Sequence, residues 1–136
     1  MTGWVVCGAV LVLASAFGLL RAHRDGRLRV KDGAAVRLTA ADLGGELGDR
    51  ATLVQFSTAF CQPCRATRRV LAEVSGMVEG VAHVEIDAES RLDLVRRLDI
   101  LRTPTVLVLD ATGRVIRRAA GQPRRADVVA ALGEAV

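Results

Sequence analysis

The feature that most constrains this 136-residue chain is an uncharged apolar run near its amino terminus, Gly3 to Leu20, GWVVCGAVLVLASAFGLL. Eighteen residues without a formal charge, wound as an α-helix at 1.5 Å per residue, span about 27 Å, enough for one crossing of a bilayer's hydrocarbon. A core helix of a globular domain would show a polar face, and this segment has none. The rest of the chain is long enough for one further domain and too short for two. The expected organisation is a transmembrane anchor over 1–20, a basic juxtamembrane linker over 21–33 and a single domain over 34–136.

Charge follows the same division. Residues 21–31, RAHRDGRLRVK, hold five Lys or Arg against one Asp, which accounts for the whole net charge of +4. Everything beyond Lys31 therefore sums to zero, and no basic groove remains to grip phosphates. With one Trp, three Phe and no Tyr, few rings are present on which bases could stack, so nucleic-acid binding is excluded. The basic run sits directly after the apolar stretch. By the positive-inside tendency it places the carboxyl-terminal part in the cytoplasm, and it suits anionic lipid headgroups. A cleaved signal peptide ending near Ala14-Ser15-Ala16 is the competing reading, with export or an extracytoplasmic face as its consequence. A signal peptide, however, carries its positive charge ahead of the apolar core.

Apolar spacing predicts the elements beyond the linker. Asp32-Gly33 reads as a turn, Ala35 to Leu38 as a short extended segment, and Thr39 as the cap of a brief helix through Leu47 ended by Gly48. Thr52 to Ser57 is a buried strand, followed by a helix from Cys61 to Val74 with Cys64, Val70, Leu71 and Val74 on its apolar side and Gly76 beyond. Val81 to Ile86 is a strand, and Ser90 to Leu98 a helix with Leu92, Val95 and Leu98 inward. Thr105 to Leu109 and Arg114 to Ala119 pair around an Asp110–Gly113 turn, and Pro123 to Ala135 is a last helix with Val128, Val129 and Leu132 inward. The order is βαβ then ββα, an α/β architecture with helices on both faces of the sheet.

Three cysteines cannot build a disulfide framework. Cys7 falls in the apolar run, where it acts as a small hydrophobe, with lipidation the weaker alternative. Cys61 and Cys64 remain as a C-x-x-C pair where a strand turns into a helix. That spacing can close a small disulfide ring. The first cysteine meets the free N–H groups and positive dipole of the helix start, which stabilise a thiolate, while the second sits a turn along and more buried. Pro63 suits the first helical turn. Half a zinc site is the alternative, but His23, His83 and Cys7 are scattered without ligand spacing, and no metal is expected.

Phe56, then Ala59-Phe60-Cys61-Gln62-Pro63-Cys64-Arg65, then Val84 to Asp87, then Thr103-Pro104-Thr105, then Gly113 and Gly121 together resemble the thioredoxin family over about residues 34–136. The resemblance implies a thioredoxin fold, a central mixed β-sheet flanked by helices, here preceded by one transmembrane helix. It implies Cys61 and Cys64 as the catalytic pair, a cis-proline at Pro104, and a substrate surface of Phe60, Gln62, Pro63, Thr103 and Pro104. Phe60 stands where the family has tryptophan, and Thr103 where isoleucine is usual, putting a hydroxyl within reach of a substrate or the thiolate. Gln55 matches the family's buried aspartate and His83 the lysine often paired with it. Glutamine cannot accept a proton, so His83 or a water is expected to share that relay, with an ordinary strand histidine the plain alternative.

The expected function is thiol-disulfide exchange with protein substrates as a membrane-surface reductase. It needs no cofactor beyond the Cys61–Cys64 disulfide and is reset by a donor such as a thioredoxin reductase or a membrane dithiol carrier. Two alternatives stand beside it: a tethered binding scaffold without turnover, and an extracytoplasmic protein for disulfide formation or cytochrome maturation.

Overall fold

The structure, a computed structural model, describes residues 1–24, 29–30 and 36–136. The Asp32-Gly33 turn and Ala35 lie outside the described residues. Helix α1 runs Thr2–Arg24, past the expected end of the anchor at residue 20, and none of its residues is buried. It is long and apolar enough to cross a membrane. A two-residue strand, β1 (Arg29–Val30), falls within the stretch read as linker.

The remaining elements are α2 (Ala40–Leu43), β2 (Ala51–Ser57), α3 (Gln62–Met77), β3 (Val81–Asp87), α4 (Leu92–Arg97), β4 (Thr105–Asp110), β5 (Val115–Ala120) and α5 (Arg125–Ala135). The strands form one mixed sheet in the order β1-β5-β4-β2-β3. β2 and β3 are parallel and the other pairs antiparallel. The isolated Arg37–Arg114 bridge is what the structure shows of the extended segment expected over 35–38.

Alternation along the strands divides two apolar layers. Val54, Phe56, Ile86, Leu107 and Leu109 pack with Leu43, Leu94 and Leu98 on one face. Leu53, Val106, Val108 and Ala119 pack with Leu71 and Val74 of α3 and Val128 and Leu132 of α5 on the other. Each large side chain fully buried there, Phe56 and Leu71 among them at 0% exposure, contributes roughly 1.5–3 kcal/mol of transfer free energy. The expected mixed sheet between helical layers is thus the observed fold.

Several element ends differ from expectation for identifiable reasons. Helix α2 stops at Leu43 rather than Leu47, because Gly44 adopts φ +68° and turns its N–H back to the Ala40 carbonyl, a left-handed conformation favourable to glycine. Helix α3 continues through Gly76 to Met77. In α4 the buried side chain is Leu94, joined by Leu98 just past its end, while Leu92 is 54% exposed. The helix is Leu92–Arg97, and Leu92 lies two residues, about 200° of helical rotation, from the buried Leu94, which puts it on the outer face. In α5, which begins at Arg125 rather than Pro123, Ala131 takes the inward place expected of Val129. In α3, Thr67 is buried and Val70 only partly so.

Candidate active site

The dithiol sits where β2 ends. Thr58, Ala59 and Phe60 lead from that strand to Cys61, whose backbone is extended (φ −120°, ψ 104°) and whose Sγ accepts a hydrogen bond from the Cys64 N–H at 3.2 Å. A cysteine sulfur thus occupies the N-cap position of α3, where the first N–H groups lack helical partners and the helix dipole is positive. Pro63 lies in the first turn, where its missing N–H costs no helical bond. Cys61 and Cys64 are disulfide-bonded, with Cα atoms 5.2 Å apart. Cys61 is partly exposed and Cys64 is 1% exposed. Phe60, Gln62 and Pro63 all face solvent.

A second loop enters the same region. The Thr103–Pro104 bond is cis, as the resemblance implied. The Pro104 carbonyl accepts the Gly121 N–H at 2.8 Å, and the Thr105 hydroxyl donates to the Arg102 carbonyl at 2.5 Å. The Thr103 hydroxyl lies 3.2 Å from that of Thr58. That hydrogen bond joins the loop entering the cis-proline to the loop entering the dithiol. It also occupies the Thr103 hydroxyl that the sequence offered to a substrate or thiolate.

Behind Cys64, Gln55 is completely buried. Its Nε2 donates to the Cys64 carbonyl at 2.8 Å and to the Ser57 hydroxyl at 3.0 Å, while its Oε1 is 3.3 Å from His83 Nε2. Alternation places Gln55, His83 and Glu85 on the sheet face that α3 covers. There Arg68 grips Glu85 through two of its guanidinium nitrogens, Nε and Nη2, the Nη2–Oε1 contact being 2.7 Å. Burial holds the His83 imidazole below its ordinary basicity, and the nearby Arg68 charge lowers it further against the opposing pull of Glu85. The expected meeting of Gln55 and His83 is therefore present. Their hydrogen bonds, however, reach the carbonyl of Cys64 rather than a sulfur.

Three residues escaped sequence reasoning. Thr58 pairs with Thr103, as above. Thr67, one turn beyond Cys64, has a buried hydroxyl with no partner among the described residues. Leu101, two residues before Thr103, is 86% exposed. Leu101 lies between the buried Ile100 and Arg102, and nothing in that apolar pair marked which of the two would be exposed. Among the described residues no three of His, Cys, Asp and Glu gather as metal ligands.

A close cysteine pair capping a helix at the end of a mixed sheet, with a cis-proline loop hydrogen-bonded to the dithiol loop, defines the class of thioredoxin-fold thiol-disulfide proteins. The family model described as Thioredoxin matches residues 36–134, and the chain belongs to the thioredoxin family. Its relatives include human Thioredoxin domain-containing protein 2, 37% identical over 60 residues, which cover 44% of this chain and 11% of that protein. Mouse Thioredoxin domain-containing protein 8 is 27% identical over 74 residues, covering 54% of this chain and 58% of that one. The chain thus spans less than two thirds of either relative. Among solved structures, thioredoxin F from spinach chloroplast superposes with a TM-score of 0.57 at 21% identity, covering 65% of this chain and 78% of that one. The Schistosoma mansoni thioredoxin pre-protein gives 0.57 at 18% identity, covering 65% and 82%. At such identities the structural likeness shows the fold.

Proposed function

We propose that the protein is a membrane-anchored protein-disulfide reductase. The reduced Cys61 thiolate attacks a substrate disulfide, forming a mixed disulfide and releasing one substrate thiol. Cys64, deprotonated, then attacks Cys61 Sγ, closing the Cys61–Cys64 disulfide and releasing the second. Two electrons pass from the dithiol to the substrate, and the two thiol protons end on the substrate sulfurs by way of solvent. A dithiol donor, such as a thioredoxin reductase or a membrane dithiol carrier, returns the electrons. The observation that carries this reading is the Cys61 sulfur held as N-cap acceptor of the Cys64 N–H while Cys64 itself is buried. The partly exposed sulfur is the one the helix start stabilises as an anion.

Phe60, Gln62, Pro63, Thr103 and Pro104 form the surface that receives the substrate. Gln55 and His83 act as positioning residues: His83 orients the Gln55 amide, and that amide fixes the first turn of α3 through the Cys64 carbonyl. The Cys64 proton passes to water, the other acceptor considered above. Helix α1 anchors the chain in the bilayer with the domain in the cytoplasm, its basic flank against anionic lipid.

Insulin reduction by the full chain in detergent tests the activity. Turnover that Cys61→Ser abolishes supports it, and a chain inert in every redox couple supports a binding scaffold instead. Labelling of Cys61 by a membrane-impermeant thiol reagent in intact cells would move the domain to the opposite face.

A further inference from the structure

Strand register places three features at one end of the sheet. β2 runs toward the dithiol and ends at Ser57, beside Asp87 at the end of parallel β3. Phe56 pairs with Thr105, the first residue of antiparallel β4, immediately after Pro104. Thr105 in turn pairs with Ala120, the last residue of β5. β1 is antiparallel to β5, with Arg29 opposite Arg118 and Val30 opposite Arg117, so its upstream end points toward Ala120. The chain arriving from α1 therefore joins the sheet from the end that carries Cys61 and Pro104.

The connection is short. Between Arg24, the last residue of α1, and Arg29 the chain takes five steps, which reach at most about 18 Å. A domain of this size has a radius of gyration of about 13 Å and is wider than that tether. With the dithiol end toward the bilayer, Arg29 stands about 7 Å along β5 from Ala120 and the connection has slack. With the opposite end toward the bilayer, the tether must double back on the direction of β1 and pass Arg118 to Val115, about 10 Å, which uses more than half of its reach. The side chains agree with the first arrangement. Among the described residues beyond α1, the two most exposed large apolar side chains are Phe60 at 101% and Leu101 at 86%, against at most 57% for any other. Both belong to the loops at the dithiol end, two residues from the hydrogen-bonded Thr58 and Thr103. Aromatic and aliphatic tips of this kind suit the membrane–water interface.

We propose that the dithiol end of the domain faces the bilayer that holds α1, so that its substrate is a disulfide borne at the membrane surface by another anchored protein. This inference rests on the anchor and on the exchange activity proposed above. It adds the height at which exchange occurs.

The test uses the pre-reduced full chain in phosphatidylcholine–phosphatidylglycerol vesicles, in a single turnover with electrons drawn from Cys61 and Cys64. Two membrane-spanning peptides carry the same disulfide-linked fluorophore. One holds it next to the bilayer, and the other holds it beyond a rigid helical spacer of about 30 residues, about 45 Å away. Both share one surface concentration, so their comparison isolates height. The low probe is expected to react at least about tenfold faster, a ratio set by local effective concentration. A Gly-Ser insertion of about 20 residues after Arg24, with an average reach of about 25 Å, should bring the two rates within about twofold of each other, while the rate with soluble hydroxyethyl disulfide stays unchanged. Equal rates for the two probes in the uninserted chain, with hydroxyethyl disulfide still reduced, overturn the inference and spare the activity. If neither probe nor hydroxyethyl disulfide reacts faster than with Cys61→Ser, the activity itself falls and the inference with it. A chain that fails to float with the vesicles removes the anchor and the inference together.

Discussion

Replacing Gln55 by leucine removes an amide whose every arm is engaged, at a site with no access to solvent. Leucine is of similar size, so the change is one of polarity more than volume. The Ser57 hydroxyl and the Cys64 carbonyl each lose a partner, and a buried polar group left unpaired costs about 1–3 kcal/mol. His83, only partly buried, can turn to water. The more apolar side chain recovers about 1 kcal/mol, leaving a net loss of roughly 1–5 kcal/mol for the two groups together. Urea unfolding of the full chain in detergent should show a midpoint lowered by roughly 1 M at unchanged slope, taking a slope of about 1–3 kcal/mol per molar. His83→Ala, which removes one 3.3 Å hydrogen bond at a partly exposed site, should cost less, under about 1 kcal/mol. Because the amide also holds the first turn of α3, Gln55→Leu should slow release of a mixed disulfide trapped on Cys61, and His83→Ala should leave that rate nearly unchanged. A loss under about 0.5 kcal/mol for Gln55→Leu, the range of an ordinary surface substitution, would refute the buried-amide argument. So would a larger loss for His83→Ala.

Acidification supplies further tests. Burial, aided by Arg68, holds His83 below the ordinary value of 6.5, so the unfolded chain binds its proton first. The neutral ring's contribution is complete above that value and lost as pH falls below it; His83→Gln should flatten this part of the stability–pH curve. Asp42 is held down from 3.8 to about 2, chiefly by the Thr39 backbone N–H and then by Arg97. Its contribution is present above 3.8 and lost as pH falls toward 2, and Asp42→Asn should remove that acid limb. Gly113→Ala should destabilise the domain by more than about 1 kcal/mol, measured by thermal unfolding. The glycine adopts φ +86°, and an added Cβ would lie 2.1 Å from the Leu38 carbonyl oxygen.

What could be read in the sequence was local. The Cys61–Cys64 pair, the strand before it and the Thr103–Pro104 junction each carry their signal within a few residues, and the structure joins them as neighbouring loops at one end of a sheet. The near-continuous apolar runs of β2 and β4 likewise report directly on strands buried on both faces. What was not legible depended on partners distant in sequence. Arg29–Val30 is a strand because β5 offers an unpaired edge, and nothing in its charged surroundings announces that. Leu92 was assigned to the core with Val95 and Leu98 at three-residue spacing; the buried stripe runs instead through Leu94 and Leu98, four apart, and leaves Leu92 on the opposite side. Gln55 and His83 could be matched to each other, but the atom of Cys64 that the amide reaches is fixed by how α3 lies across β2. Helix α2 was expected to end at Gly48, and only the left-handed turn taken at Gly44 shows that it stops earlier.

The most direct test is the pH dependence of iodoacetamide alkylation at Cys61 in the reduced full chain carrying Cys64→Ser, followed by mass spectrometry of the peptide containing that residue. If the start of α3 stabilises the Cys61 sulfur as an anion, the reaction turns on at a lower pH than that of free cysteine, whose thiol ionises near about 8.5. An inflection at or above the free-cysteine value would contradict the account.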